Sequence, residues 1–158
     1  MRNIWIPFVM ITPLLFAQGD PSGARCQNIG GAISTNFVDP SDTLGTATGD
    51  LKGGLGVHVL SVTPGPNGTT ILHNHHHWVT EAGDTILFDD ADAVLFPTPI
   101  PGLYAASYTK GVKIIGGTGR FEHATGNLTT TYGAVDLTKS QVVLRYEGRV
   151  CFAPAAVQ

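Results

Sequence analysis

The sequence predicts an all-β domain, a sandwich or barrel, and three observations carry that reading. Clusters of turn residues recur about every ten positions. No window shows a helical period, and no repeat or low-complexity segment is present. The final segment alternates between apolar and polar residues, as a strand with one buried face does. In that segment Val142, Leu144, Tyr146, Val150 and Phe152 share one face, and Gln141, Arg145, Glu147 and Arg149 share the other. A closed antiparallel barrel suits this alternation, because closure removes the sheet edges that promote aggregation.

Composition agrees with one such domain. The chain has 158 residues, 42% of them hydrophobic, which is enough to build a single core. Twenty glycines and an abundance of Val, Thr and Ile favour strands and turns over helices. The nine Lys and Arg residues are scattered and the net charge is only -3, so a nucleic-acid partner is not expected.

The elements follow in order. Arg2 precedes an apolar run from Ile4 to Phe16, and small and polar residues come next. This is the layout of a secretory signal, with cleavage expected after Gly19 or Ala24. The run is shorter than the ~20 residues of a membrane span and contains Pro7 and Pro13. Residues 1–24 are therefore read as a signal peptide, and residues 25–158 as one exported domain, secreted or periplasmic, with no membrane span after processing. Export makes Cys26 and Cys151, the two cysteines, a candidate disulfide. The alternative is two unpaired buried thiols.

Strands are then expected at Ala32–Phe37, ahead of the turn cluster DPSD, and at Asp50–Val62, ahead of TPGPNGT. The histidine segment follows and ends at the turn EAGD. TILFDD and DAVLF come next, closed by PTPIPG. LYAASYT, VKIIGG, FEHATGNLTTTYGAVD and SQVVLRYEGRVCF complete the series.

The segment GGTGRFEHATGNL, Gly116 to Leu128, is the most distinctive. It lacks the Gly-Lys-Ser/Thr ending of a phosphate loop, and Glu122 stands where a dinucleotide fingerprint has its third glycine. Gly116, Gly117, Gly119, Phe121 and Gly126 are read instead as a turn motif, whose glycines supply positive φ and a bend in the next strand. With GAVDLTKSQVVLRYEGRVC, this motif resembles the allene oxide cyclase-like barrels and the related dirigent proteins. The nearer likeness is to small secreted bacterial proteins with an allene oxide cyclase barrel-like domain. GTATGDLKGGLGVHVLSVTP and WVTEAGDTI resemble earlier strands of the same proteins. The resemblance covers roughly Asp42 to Cys151. It implies an eight-stranded antiparallel calycin-like barrel with a central cavity open at one end. It also implies a homo-oligomer, a trimer or dimer. The positions that carry catalysis or ligand binding in that family cannot be matched here, so no catalytic or ligand-lining residue is assigned.

Four of the six histidines fall within ILHNHHHWVTEAGD, from Ile71 to Asp84. Strand alternation puts His73, His75 and His77 on one face, joined by Glu81 if the strand runs on. Leu72, Asn74, His76 and Trp78 share the other. Imidazole and carboxylate ligands suit Zn or another transition metal. Hairpin arithmetic places His58 opposite Asn74, beside His73 or His75, with its face sensitive to a one-residue shift. The spacing Gly68-x6-His75-x-His77-x3-Glu81 is similar to the first motif of cupins, but the second motif is absent after Phe96. The alternative to a metal set is a half-exposed strand face that tolerates histidine. Asp89, Asp90 and Asp92 lack the spaced glycine and distal glutamate of a calcium loop.

Three functions remain open. The resemblance implies a cavity for a small, mostly apolar molecule, with isomerase or cyclase activity and no cofactor. The histidine face implies a cupin-like metal-dependent enzyme. A non-catalytic secreted binding or interaction protein needs neither.

Overall fold

A computed structural model describes residues 24–154, so all of the expected signal peptide except Ala24 lies outside the described residues. Ten strands follow one another. They are β1 (Arg25–Phe37), β2 (Asp42–Ala47), β3 (Gly53–Pro64), β4 (Thr70–Thr80), β5 (Thr85–Phe88), β6 (Ala91–Pro97), β7 (Leu103–Ser107), β8 (Val112–Gly117), β9 (Thr125–Asp136) and β10 (Gln141–Phe152). Every pairing is antiparallel. β1 to β4 form a meander, and β10 pairs with both β9 and β1, which closes the sheet on itself.

Ten strands make eight staves, because two staves are broken in the middle. β4 pairs with β6 over Thr70–Asn74 and with β5 at Trp78 and Val79. On the far side, β9 pairs with β8 up to Leu128 and with β7 from Tyr132 onward. β5 pairs with β8, and β6 with β7, so the two breaks lie side by side and form a seam in the wall. Among the described residues no helix is long and apolar enough to cross a membrane.

The expected strands form, with β1 reaching back to Arg25 and one strand added. β2 lies where no strand was read. Its inward positions are Thr43, Gly45 and Ala47, and the small residues in that series conceal the alternation that marks a strand. Ahead of it, the Asp39 carboxylate accepts hydrogen bonds from the Ser41 and Asp42 amides at 2.7 and 2.9 Å. Those bonds hold its carboxyl below the usual carboxylate range.

One end of the barrel is plugged. The β2–β3 loop carries Leu51 beneath the strands, where it is fully buried with Tyr146. The Leu51 amide donates to the Tyr146 hydroxyl at 3.0 Å, and that hydroxyl donates to the Thr48 carbonyl at 2.8 Å. The Trp78 indole N–H donates to the Leu51 carbonyl at 2.7 Å. Every polar group of the plug that these bonds reach is thus paired as the apolar parts bury.

Cys26 and Cys151 are directly opposed in the β1–β10 register and are joined as a disulfide. The bridge ties the first strand to the last. In the glycine motif, Gly116 and Gly117 end β8, and a 3-10 turn over Gly119–Phe121 follows. Gly119 has φ +55°, and a side chain there would collide with the Asp84 carboxylate. Phe121 is fully buried with the Arg120 guanidinium over its ring at 4.8 Å. At Gly126 the β10 backbone leaves no room for a Cβ, which would collide with the Arg149 carbonyl oxygen.

Candidate functional site

The two faces of β4 go to opposite sides of the wall. Leu72, Asn74, His76 and Trp78 point into the barrel and line an interior cavity of about 70 Å³. His73, His75 and His77 point outward.

The cavity is lined mainly by aliphatic and aromatic side chains, with Trp78 and the plug beneath it closing one end. At the other end Phe37, Val59, Leu72 and Val142 are only half-buried, so the cavity opens there. Among its polar groups are Asn74 and His76 from β4, Tyr108 just past β7, and Thr131 from β9. These four share the level of the seam. His76 lies between the β6-paired and β5-paired parts of β4, and Thr131 lies between the β8-paired and β7-paired parts of β9. The Tyr108 amide reaches the Thr131 carbonyl at 2.9 Å. Breaks in a sheet often re-aim side chains in this way.

Tyr108 is the hub. Its hydroxyl accepts from the Asn74 side-chain amide at 2.9 Å and meets His76 Nε2 at 2.9 Å. Burial pushes the phenol up to about 12, partly opposed by the Asn74 hydrogen bond. His76 as a whole is half-buried, but its Nδ1 is sealed from solvent. Burial first, then the neighbouring His75, lowers its pKa from 6.5 to about 4, so the imidazole is neutral at pH 7. Among the described residues, three buried polar side-chain atoms have no hydrogen-bond partner: Asn74 Oδ1, His76 Nδ1 and Thr131 Oγ1. Buried polar atoms are rarely left so.

Outside the barrel, three histidines are each tied to an aspartate through Nδ1. His58 meets Asp42 at 2.8 Å, His73 meets Asp92 at 2.9 Å, and His75 meets Asp90 at 2.6 Å. The His75 hydrogen bond holds the Asp90 carboxyl below the usual range. His75 and His77 stand edge to face with ring centroids 4.7 Å apart. Glu81 is not with them; its carboxylate pairs with Lys52 at 2.7 Å. Among the described residues no three His, Cys, Asp or Glu side chains are grouped so as to hold a metal ion.

His58 faces His75, one position from the expected alignment with Asn74: the hairpin turn sets Ser61 opposite His73, and the β3 bulge between Val59 and Ser61 brings His58 back from His76 to His75. Strand alternation places Asn74 and His76 together on the face away from His73, His75 and His77 but gives them no role, and it does not single out Tyr108 or Thr131. Both faces of β4 mix large apolar and polar residues, so no local signal singles out Asn74 and His76.

No protein-family model and no curated protein matches the chain. Among solved structures, the chain is similar to a pterocarpan synthase dirigent protein. The identity is 15% and the TM-score 0.33, over 92% of this chain and 98% of that one. The barrel described here rests on its own strand pairing, which is complete without that likeness.

Proposed function

We propose that this protein is an exported binding barrel whose interior takes up a small, mostly apolar molecule. The observation that carries the reading is the apolar interior cavity, lined by Leu55, Trp78, Phe88 and Leu95 and opening toward the half-buried Phe37, Val59, Leu72 and Val142. A mostly apolar concave pocket is what small-molecule sites share. Export is supported by the disulfide and by the apolar N-terminal run after Arg2.

The enzyme class this lining suits is isomerisation or cyclisation. Neutral His76 is a weak base and Tyr108 a weak acid, so the interior offers shape and hydrogen bonds more than proton transfer. No free cysteine is present among the described residues to act as a nucleophile.

The test uses the fluorescence of Trp78, which lines the cavity. Titration with small cyclic and linear apolar molecules is expected to change its emission saturably. Filling the cavity with Ala106→Ile is expected to abolish that change at a stability cost of about 1–3 kcal/mol. An unchanged titration in the folded Ala106→Ile protein would place the binding elsewhere.

A further inference from the structure

We infer that the mouth of the barrel docks on a neutral lipid surface, whatever fills the cavity behind it. The strand registers sort the connections between two ends. Asn36 pairs with Gln141, Leu103 with Asp136 and Thr70 with Leu95, so the β1–β2, β3–β4, β6–β7 and β9–β10 hairpins gather around the mouth. Each presents a large apolar side chain to water: Val38, Val62, Ile100 and Leu137 are 58%, 62%, 60% and 49% exposed. The connections at the plugged end, residues 48–52, 81–84 and 118–124, present none among the described residues. Scattered surface hydrophobics are ordinary, but four arranged around one opening mark a contact surface. Arg25 pairs with Phe152 at the plugged end, so β1 begins and β10 ends away from the mouth.

The backbone of this rim is suited to an apolar medium, which tolerates irregular chain only where polar groups are already paired. Six of the chain's ten prolines, Pro40, Pro64, Pro66, Pro97, Pro99 and Pro101, lie here and have no N–H to satisfy. Three of the four apolar residues have their amides paired within the protein. Val38 donates to the Asp42 carbonyl at 2.9 Å, Ile100 to Thr98 Oγ1 at 3.2 Å, and Leu137 to the Gly102 carbonyl at 2.9 Å. In the β3–β4 turn, the Gly65 amide donates to the Thr69 carbonyl at 2.8 Å, and the Thr69 hydroxyl donates to the Pro66 carbonyl at 2.7 Å.

Charge and layout select the partner. Within residues 38–41, 65–69, 98–102 and 136–140 the charged side chains are Asp39, Asp136 and Lys139. The two carboxylates accept hydrogen bonds from amides of their own turns. Acid outnumbers base and there is no arginine, so anionic lipid is repelled and a zwitterionic surface fits. The four apolar side chains stand on separate hairpins around an opening. A fluid lipid surface takes up such tips without matched pockets, whereas a protein partner must complement each of them closely. The opening leads past the half-buried Phe37, Val59, Leu72 and Val142 into the apolar cavity. A barrel seated on lipid can therefore exchange an apolar molecule with the bilayer without exposing it to water.

The experiment is flotation of the purified protein with phosphatidylcholine vesicles through a density gradient. The wild type is expected to float with the vesicles, equally well at low and high salt, and less well when phosphatidylserine is mixed in. Replacing Val62 and Ile100 together by serine is expected to lower the partition coefficient about tenfold. Leu87→Ser, exposed on β5 away from the mouth, is expected to leave it unchanged. The cavity-filling Ala106→Ile is also expected to float, so failure of docking and failure of ligand binding are read separately. A wild type that stays with the soluble fraction, that floats only with phosphatidylserine, or whose flotation survives the Val62 and Ile100 substitutions overturns the docking. So does a wild-type dimer that those substitutions turn into a monomer in sedimentation runs without lipid, because the mouth then joins two copies of the chain.

Discussion

His76 is the residue whose burial has the clearest measurable consequence. Its folded-state pKa, about 4, lies below the ordinary 6.5. Above pH 6.5 both folded and unfolded chains hold it neutral, so it makes no difference to stability. As the pH falls toward 4, the unfolded chain takes up a proton that the folded chain refuses, and stability drops by about 3 kcal/mol. Below about pH 4 this loss levels off. Urea unfolding of wild type and His76→Phe at pH 7 and pH 4.5 measures it, and the variant is expected to lose less on acidification. Tyr146 gives a second test at this scale. Tyr146→Phe removes the acceptor of the buried Leu51 amide and the donor to Thr48. The expected cost is about 1–3 kcal/mol, read as a lower urea midpoint with an unchanged slope.

Among the elements, β3 shows how a single extra residue controls chemistry. Beyond the bulge Ser61 faces His73, and before it His58 faces His75. Were Leu60 paired in register instead of bulged out, the pairing that aligns Ser61 with His73 would carry on to align His58 with His76, on the inward face. The bulge therefore keeps His58 outside with Asp42, and Val57 and Val59 inside. Nothing in GVHVLSVTP announces it, since Leu60 is as good a strand residue as its neighbours. The β8–β9 connection was more legible, because glycine leaves a visible mark where the backbone demands it. Gly126→Ala would press a methyl group against the Arg149 carbonyl of β10. It is expected to lower thermal stability markedly, whereas Gly68→Ala, at a turn with open space around it, is expected to cost only its φ strain. Differential scanning calorimetry of the two variants gives the comparison.

For the molecule as a whole, closure is held twice, by the β1–β10 ladder from Arg25 to Asn36 and by the Cys26–Cys151 bridge. The bridge spans 125 residues, for which chain-entropy models give at most ~4–5 kcal/mol. Replacing both cysteines with alanine is expected to lower the unfolding free energy by a few kcal/mol and leave the far-ultraviolet circular dichroism unchanged, because the ladder remains. The turns, the alternation of β10, the glycine motif and the possible cysteine pair were all legible in the sequence, since each depends on neighbours along the chain. The direction of β4 was not. Each of its faces carries a mixture, Leu72 and Trp78 with Asn74 and His76 on one, Ile71 and Val79 with three histidines on the other. Alternation separates such faces without ranking them. Which face is enclosed depends on the broken staves β5–β6 and β7–β8, which bring Tyr108 to Asn74 and His76 from more than thirty residues away. Local pattern therefore established a barrel with two-faced strands, and long-range pairing chose the inner face and with it the site.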